Sequence, residues 1–162
     1  MNKNYVQFTE FFDKENWSYH QHGDRSVIHT HCNGDNGRWV CMAMANEPGE
    51  VVIFLSLFPS FVPVEKRVAC AELITRMNYD LNLGCFEMDH EDGDLRFRTS
   101  LVSDKSGMTQ ETVKGLILSN VYTVDRFYGA ILKVLHGGAS PKAALKKPVK
   151  KALLVKARLD LN

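Results

Sequence analysis

Apolar side chains recur along this chain with two different periods, and each period predicts an element. Tyr5, Phe8, Phe11 and Phe12 fall three or four residues apart, which predicts an amphipathic helix ending near Glu15-Asn16. Trp17–His22, Ser26–Cys32 and Arg38–Ala45 have strand character instead. They are broken by Gly23-Asp24 and by Asn33-Gly34-Asp35-Asn36-Gly37, residues that tolerate positive φ. Val51–Phe58 is apolar on both faces, as expected of a central strand covered on both sides, or of one whose second face lies in a subunit interface.

Pro63 suits the first turn of a helix running to about Asp80, with Val68, Cys70, Leu73, Ile74 and Met77 as its buried stripe. After the Leu83-Gly84 break come two more strands, Cys85–Asp89 and Leu95–Val102. The clearest element follows. Val113, Leu116, Ile117, Val121, Val124, Phe127, Tyr128, Ile131 and Leu135 recur every three or four residues. Thr109 reads as its N-cap, with Met108 and Val113 as a hydrophobic staple, and Gly137-Gly138 as its stop. The order α-β-β-β-β-α-β-β-α, with short turns between sequential strands, predicts an α+β fold: an antiparallel sheet of five to six strands with packed helices.

A chain of 162 residues, 44% of them apolar, fits one core. Charge divides it. Only one of its 19 acids, Asp160, follows Gly137, whereas Lys142, Lys146, Lys147, Lys150, Lys151, Lys156 and Arg158 all do. Residues 1–138 are therefore expected to form a single acidic domain and residues 139–162 a basic Ala/Lys/Pro tail, partly flexible, with a short helix starting at Pro148. Glu10, Asp13 and Glu15 interrupt any apolar run near the N-terminus, so neither a signal nor a membrane span is read there and a cytoplasmic protein is the expectation. Cys32, Cys41, Cys70 and Cys85 stand far apart with no C-x-x-C pair, and read as small core residues in a reducing compartment.

Two stretches invite a chemical reading. Met88-Asp89-His90-Glu91-Asp92-Gly93-Asp94-Leu95-Arg96-Phe97-Arg98 crowds acids beside two arginines. Asp92-Gly93 is a strong type I′ hairpin signal. A two-residue loop there pairs Glu91 with Asp94, Asp89 with Arg96, and Glu87 with Arg98, while Met88 meets Phe97 and Phe86 meets Thr99. On this reading the run is a turn and a charge ladder. Its glycine spacing does not suit a calcium loop, and carboxylates facing arginines do not suit catalysis.

The second stretch holds His20, His22, His29 and His31, which an even-length loop puts on one strand face; a four-residue loop sets His20 opposite His29. Imidazoles there could serve a metal- or small-ligand-responsive sensor. The plainer reading is a solvated face behind an apolar one of Trp17, Tyr19, Ile28 and Cys32. The expectation is accordingly no metal site, no cofactor and no catalytic residue. No nucleophile elbow, phosphate loop, dinucleotide fingerprint or zinc-protease helix occurs in the sequence. Lys146-Lys147-Pro148-Val149-Lys150-Lys151 could bind a polyanion, but it lacks interleaved aromatics and follows an acidic body, so nucleic acid is not expected.

The stretches "NGRWVCMAM", "VPVEKRVACAELITRMNYDLNLGCFEMDHEDGDLRFRTSLV" and "VYTVDRFYGAILKVLHGGASPKAAL" resemble the YbjN-like proteins, particularly their cyanobacterial members, over about residues 5–145. The most specific part is the series Asn78-Tyr79, Gly84-x-Phe86-Glu87, Asp92-Gly93 and Arg96-x-Arg98-Thr99-Ser100. The resemblance implies a type III secretion chaperone-like fold, a homodimer, and the label of a bacterial sensory transduction regulator. It carries no catalytic residue or cofactor. The expected function is a non-catalytic protein-binding module with an unidentified protein partner, Val51–Phe58 and the long third helix being the surfaces for a dimer or partner unless both form the core.

Overall fold

The computed structural model describes residues 2–21, 27–46, 51–103 and 106–145. Helix α1 (Lys3–Lys14) begins where the Asn2 side chain accepts from the amides of Asn4 and Tyr5, filling two donors that a first helical turn leaves open. Beyond it Asn16 takes a positive φ and turns the chain into Trp17, whose ring meets Phe12 edge-on at 5.5 Å.

Four strands follow, β1 (Tyr19–Gln21), β2 (Val27–Asn33), β3 (Arg38–Asn46) and β4 (Val51–Leu57). A 3-10 turn at Val64–Lys66 leads into α2 (Arg67–Tyr79), and then come β5 (Cys85–Met88), β6 (Leu95–Val102), α3 (Gln110–Leu135) and α4 (Pro141–Ala144). The strands make one antiparallel sheet in the order β1-β2-β3-β4-β6-β5, which is the α+β architecture that the alternating periods predict. Val51–Leu57 lies between β3 and β6 in its interior.

All four helices lie on one side. Ile28, Ala43, Phe54 and Thr99 form one row across the sheet, Thr30, Cys41, Ser56, Phe97 and Phe86 the next, and all are buried beneath the helices. Helix α3 sits over β4 and β6, α1 over β3, and α2 beside β5. Thr109 caps α3 through the Thr112 amide, and Val113, Ile117, Val121, Ile131 and Val134 are buried along it. Most of the expected interface surface on this helix is therefore core.

A polar network holds α3 down inside that core. Asn120, fully buried, accepts from Ser56 Oγ at 2.6 Å and donates to the Phe54 carbonyl (3.0 Å), the Phe97 carbonyl (3.3 Å) and Thr99 Oγ1 (3.2 Å). Ser56 Oγ in turn accepts from the Trp39 indole at 2.8 Å. Outside the core, the Asp125 carboxylate receives the amide and side chain of Asn36 (2.8 and 3.0 Å), which ties the β2–β3 turn to α3.

Two expectations are corrected. The β5–β6 turn is longer than Asp92-Gly93: Met88 pairs with Leu95, Glu87 with Arg96, Phe86 with Phe97 and Cys85 with Arg98, a shift of two residues from the expected register. Only Gly93 takes a positive φ, and its amide closes on the Asp89 carbonyl at 2.9 Å. The neighbours explain the wider loop. Asp89 and Asp92 cap the amides of Glu91 and Asp94, Arg67 takes the carbonyls of His90 and Glu91, and Val62 N–H donates to the Gly93 carbonyl. Because side chains alternate, a shift of two keeps every residue on its expected face. Val68 is the other correction: it lies two residues from buried Cys70, hence across the helix, and is 81% exposed.

Replacing Asn120 by Leu removes the acceptor of the Ser56 hydroxyl and a donor from each of the Phe54 and Phe97 carbonyls, inside a buried core. Each such group costs about 1–3 kcal/mol, and urea unfolding is expected to show a loss of about 2–4 kcal/mol with an unchanged slope.

Candidate functional site

The side of the sheet away from the helices is apolar through its middle. His20, His29, Met42, Leu55, Arg98 and Cys85 stand side by side across six strands; His31, Val40, Leu57, Arg96 and Glu87 form the next row; Val27, Met44, Ile53 and Ser100 form a third. Leu55 is buried among its neighbours, and Val27, Val40, Met42, Met44, Val51, Ile53 and Leu57 are half-buried, although no described helix lies on them. An antiparallel sheet with one solvated face ordinarily alternates apolar and polar residues. Here β3 and β4 do not. The sequence signal for β4 was its unbroken apolar run. The same signal is present in β3, where Trp39-Val40-Cys41-Met42-Ala43-Met44-Ala45 is equally unbroken.

Charged groups frame the apolar band. On the β5–β6 side the Glu87 carboxylate pairs with both Arg96, at 3.0 Å, and Arg98, and Asp94 reaches Arg96 at 3.9 Å. Of the expected ladder, Glu87 meets Arg98 but Asp89 does not meet Arg96; Glu87 takes both guanidiniums, and Asp89 caps the Glu91 amide instead. These side chains are 21–42% exposed, so they orient the edge more than they stabilise it.

At the other side His20 stands directly opposite His29, the register that a four-residue loop requires, and His31 shares their face. His22 lies outside the described residues. Trp17, Ile28 and Cys32 are buried on the opposite face, as the plainer reading has it. Among the described residues no three His, Cys, Asp or Glu side chains come together as a metal set.

Burial keeps the cysteine thiols protonated. It pushes Cys41 up to about 12 and Cys70 up to about 11, and also raises Cys32; Cys85, half-buried beside Glu87, is raised too. A thiolate, not a thiol, is the nucleophile, so these groups are poor reagents at neutral pH.

A second apolar feature lies outside the sheet. Phe61, Val64, Val68, Tyr79 and Leu83 are exposed on α2 and its flanks. Its signal in the sequence was an apolar series out of phase with the buried stripe. No described helix is long and apolar enough to cross a membrane.

The model of the YbjN family, described as "Putative bacterial sensory transduction regulator", matches residues 4–133. No curated protein matches the chain by sequence. Among solved structures, the crystal structure of "YbjN, a putative transcription regulator from E. coli" is 13% identical, with a TM-score of 0.58 over 85% of this chain and 93% of that one. The structure of the HopA1–SchA chaperone–effector complex contains a chain 14% identical, with a TM-score of 0.51 over 75% of this chain and 93% of that one. At such identities the likeness is one of fold, and the fold is type III secretion chaperone-like.

The buried thiols also set an alkaline limit. Their pKa values lie above the usual 9.0 in the folded state, so the stability they contribute is complete below pH 9 and is lost as pH rises through 11 to 12. The urea midpoint is expected to hold between about pH 6 and 8 and to fall above about pH 9. A thiol reagent at pH 8 is expected to modify Cys85 alone in the native protein, and all four cysteines after unfolding.

Proposed function

The chain belongs to the YbjN family, and we propose that it is a non-catalytic regulatory module that works by binding protein. In this reading a segment of the partner lies along the uncovered sheet face, and the working unit is a cytoplasmic homodimer in bacterial signal transduction. Residues 139–162 are a basic extension of the binding domain whose first part, α4, packs against α2 and α3; Lys146 onward lies outside the described residues.

The observation that carries the reading is the apolar band formed by Val40, Met42 and Met44 of β3 with Ile53, Leu55 and Leu57 of β4. With Val27 and Val51 beside it the band holds seven half-buried side chains, and on giving up their remaining exposure they contribute about 1 kcal/mol each. That sum is of the same order as the cost of bringing two molecules together, so binding needs most of the band at once. An extended or helical segment satisfies this requirement; a small ligand does not. The family's description as a regulator supports the reading, and so does the fold shared with a chain from a chaperone–effector complex. The polar groups point the same way. Asn120, Ser56 and Thr99 are consumed by the core, and Glu87 by two arginines, which leaves no acid–base pair facing a cleft among them.

Photo-crosslinking residues placed at Met42 or Leu57 in the full chain, in cells, test this. Heavier adducts are expected from both positions, with far fewer from Tyr122 on α3, and an added Ile53→Glu is expected to cut them at least about tenfold while far-UV circular dichroism stays unchanged. Adducts of equal yield from Tyr122, or none from the sheet, would rule the reading out.

A further inference from the structure

The sheet face that carries no described helix changes character between β2 and β3. His20 and His29 stand opposite each other on β1 and β2, and on its other flank His29 is paired with Met42 of β3. Met44 follows two residues along β3, on the same face, opposite Val27. His29, Met42 and Met44 are half-buried and His20 is exposed. The imidazoles alone make no metal set among the described residues. Two thioether sulfurs beside them change the chemistry.

We propose that His29, Met42 and Met44 form a binding site for copper(I), with His20 as a fourth ligand from β1. Register supplies the geometry. Directly opposed residues of an antiparallel pair have Cβ atoms about 4.5–5.5 Å apart, and diagonal ones about 7–8 Å, so His29 faces Met42 squarely and Met44 diagonally. A methionine carries its sulfur two bonds beyond Cβ on a chain with three rotatable bonds. One ion above the gap between β2 and β3 is therefore within reach of all three side chains.

The donors select the ion. Thioether sulfur is soft and uncharged, and with imidazole it suits copper(I); calcium, magnesium and manganese take oxygen ligands. Among the described residues no carboxylate shares this face on β1 to β4. Ile53 and Leu55 stand beside Met44 and Met42 on β4 and limit water on that side, an apolar surround that favours a weakly hydrated ion.

Met42 and Met44 also belong to the apolar band, but the ion is tested on purified protein with no partner, and leucine in their place keeps the band apolar. Loss of the ion site thus leaves the protein-binding reading standing, and the reverse holds too.

The full chain carrying Cys85→Ser is titrated anaerobically with copper(I) under ascorbate. The substitution removes the half-buried thiol at the end of the same row, three strands from Met42 and about 14 Å away. Copper(I) is expected to shift the methyl resonances of Met42 and Met44 and to leave those of Met77 and Met108, buried beneath the helices, in place. In competition with a chromogenic copper(I) chelator, Met42→Leu with Met44→Leu is expected to weaken binding at least about 100-fold and His29→Ala at least about tenfold, with far-UV circular dichroism unchanged. Methyl resonances of Met42 and Met44 that ignore copper(I), or an affinity that survives the loss of both thioethers, would overturn the site.

Discussion

The carboxamide of Asn120 is the contact on which the rest of the molecule depends. It enters the sheet between β4 and β6 and is bonded on both its oxygen and its nitrogen to groups of those two strands. In an interior from which water is excluded these bonds cannot be exchanged for others, so α3 has one position over the sheet and not several of similar energy. The Ser56 hydroxyl extends the constraint to Trp39 and hence to β3. With α3 anchored over the centre, α1 and α2 pack at its flanks, on the same side. Among the described residues, no helix covers the other side of the sheet.

That asymmetry leaves an apolar sheet face with no described helix on it. A chain using its polar residues for catalysis would aim them into a cleft. Several polar groups of this chain are engaged internally: caps at Asn2 and Thr109, a latch at Asp125, a network at Asn120 and a shared carboxylate at Glu87. Among the described residues, an apolar band on β3 and β4 and an apolar stripe on α2 also face outward. Both are surfaces of shape and hydrophobicity, which agrees with the description of the family as a regulator.

The acid-rich turn illustrates why charge alone was a misleading guide. Five acidic or histidine side chains in succession suggest a ligand site, yet three of their carboxylates are engaged within the hairpin: Asp89 on the Glu91 amide, Asp92 on the Asp94 amide, and Asp94 near Arg96. Gly93 is required there because its left-handed backbone lies against the Val62 carbonyl, where no Cβ fits.

Local pattern was enough to specify the elements and their order as far as α3, though not α4 beyond it, since periodicity, caps and glycine stops act within a few residues of one another; the Thr109 cap and the faces of β5 and β6 were readable for that reason. It also marked β4 as apolar on both sides. Only the tertiary structure decided which side the helices take, how far the β5–β6 register moves when Arg67 and Val62 reach the turn, and that Val68 faces outward. Each of those outcomes depends on groups distant in sequence competing for the same backbone donors and the same buried volume, and a one-dimensional pattern holds no record of that competition.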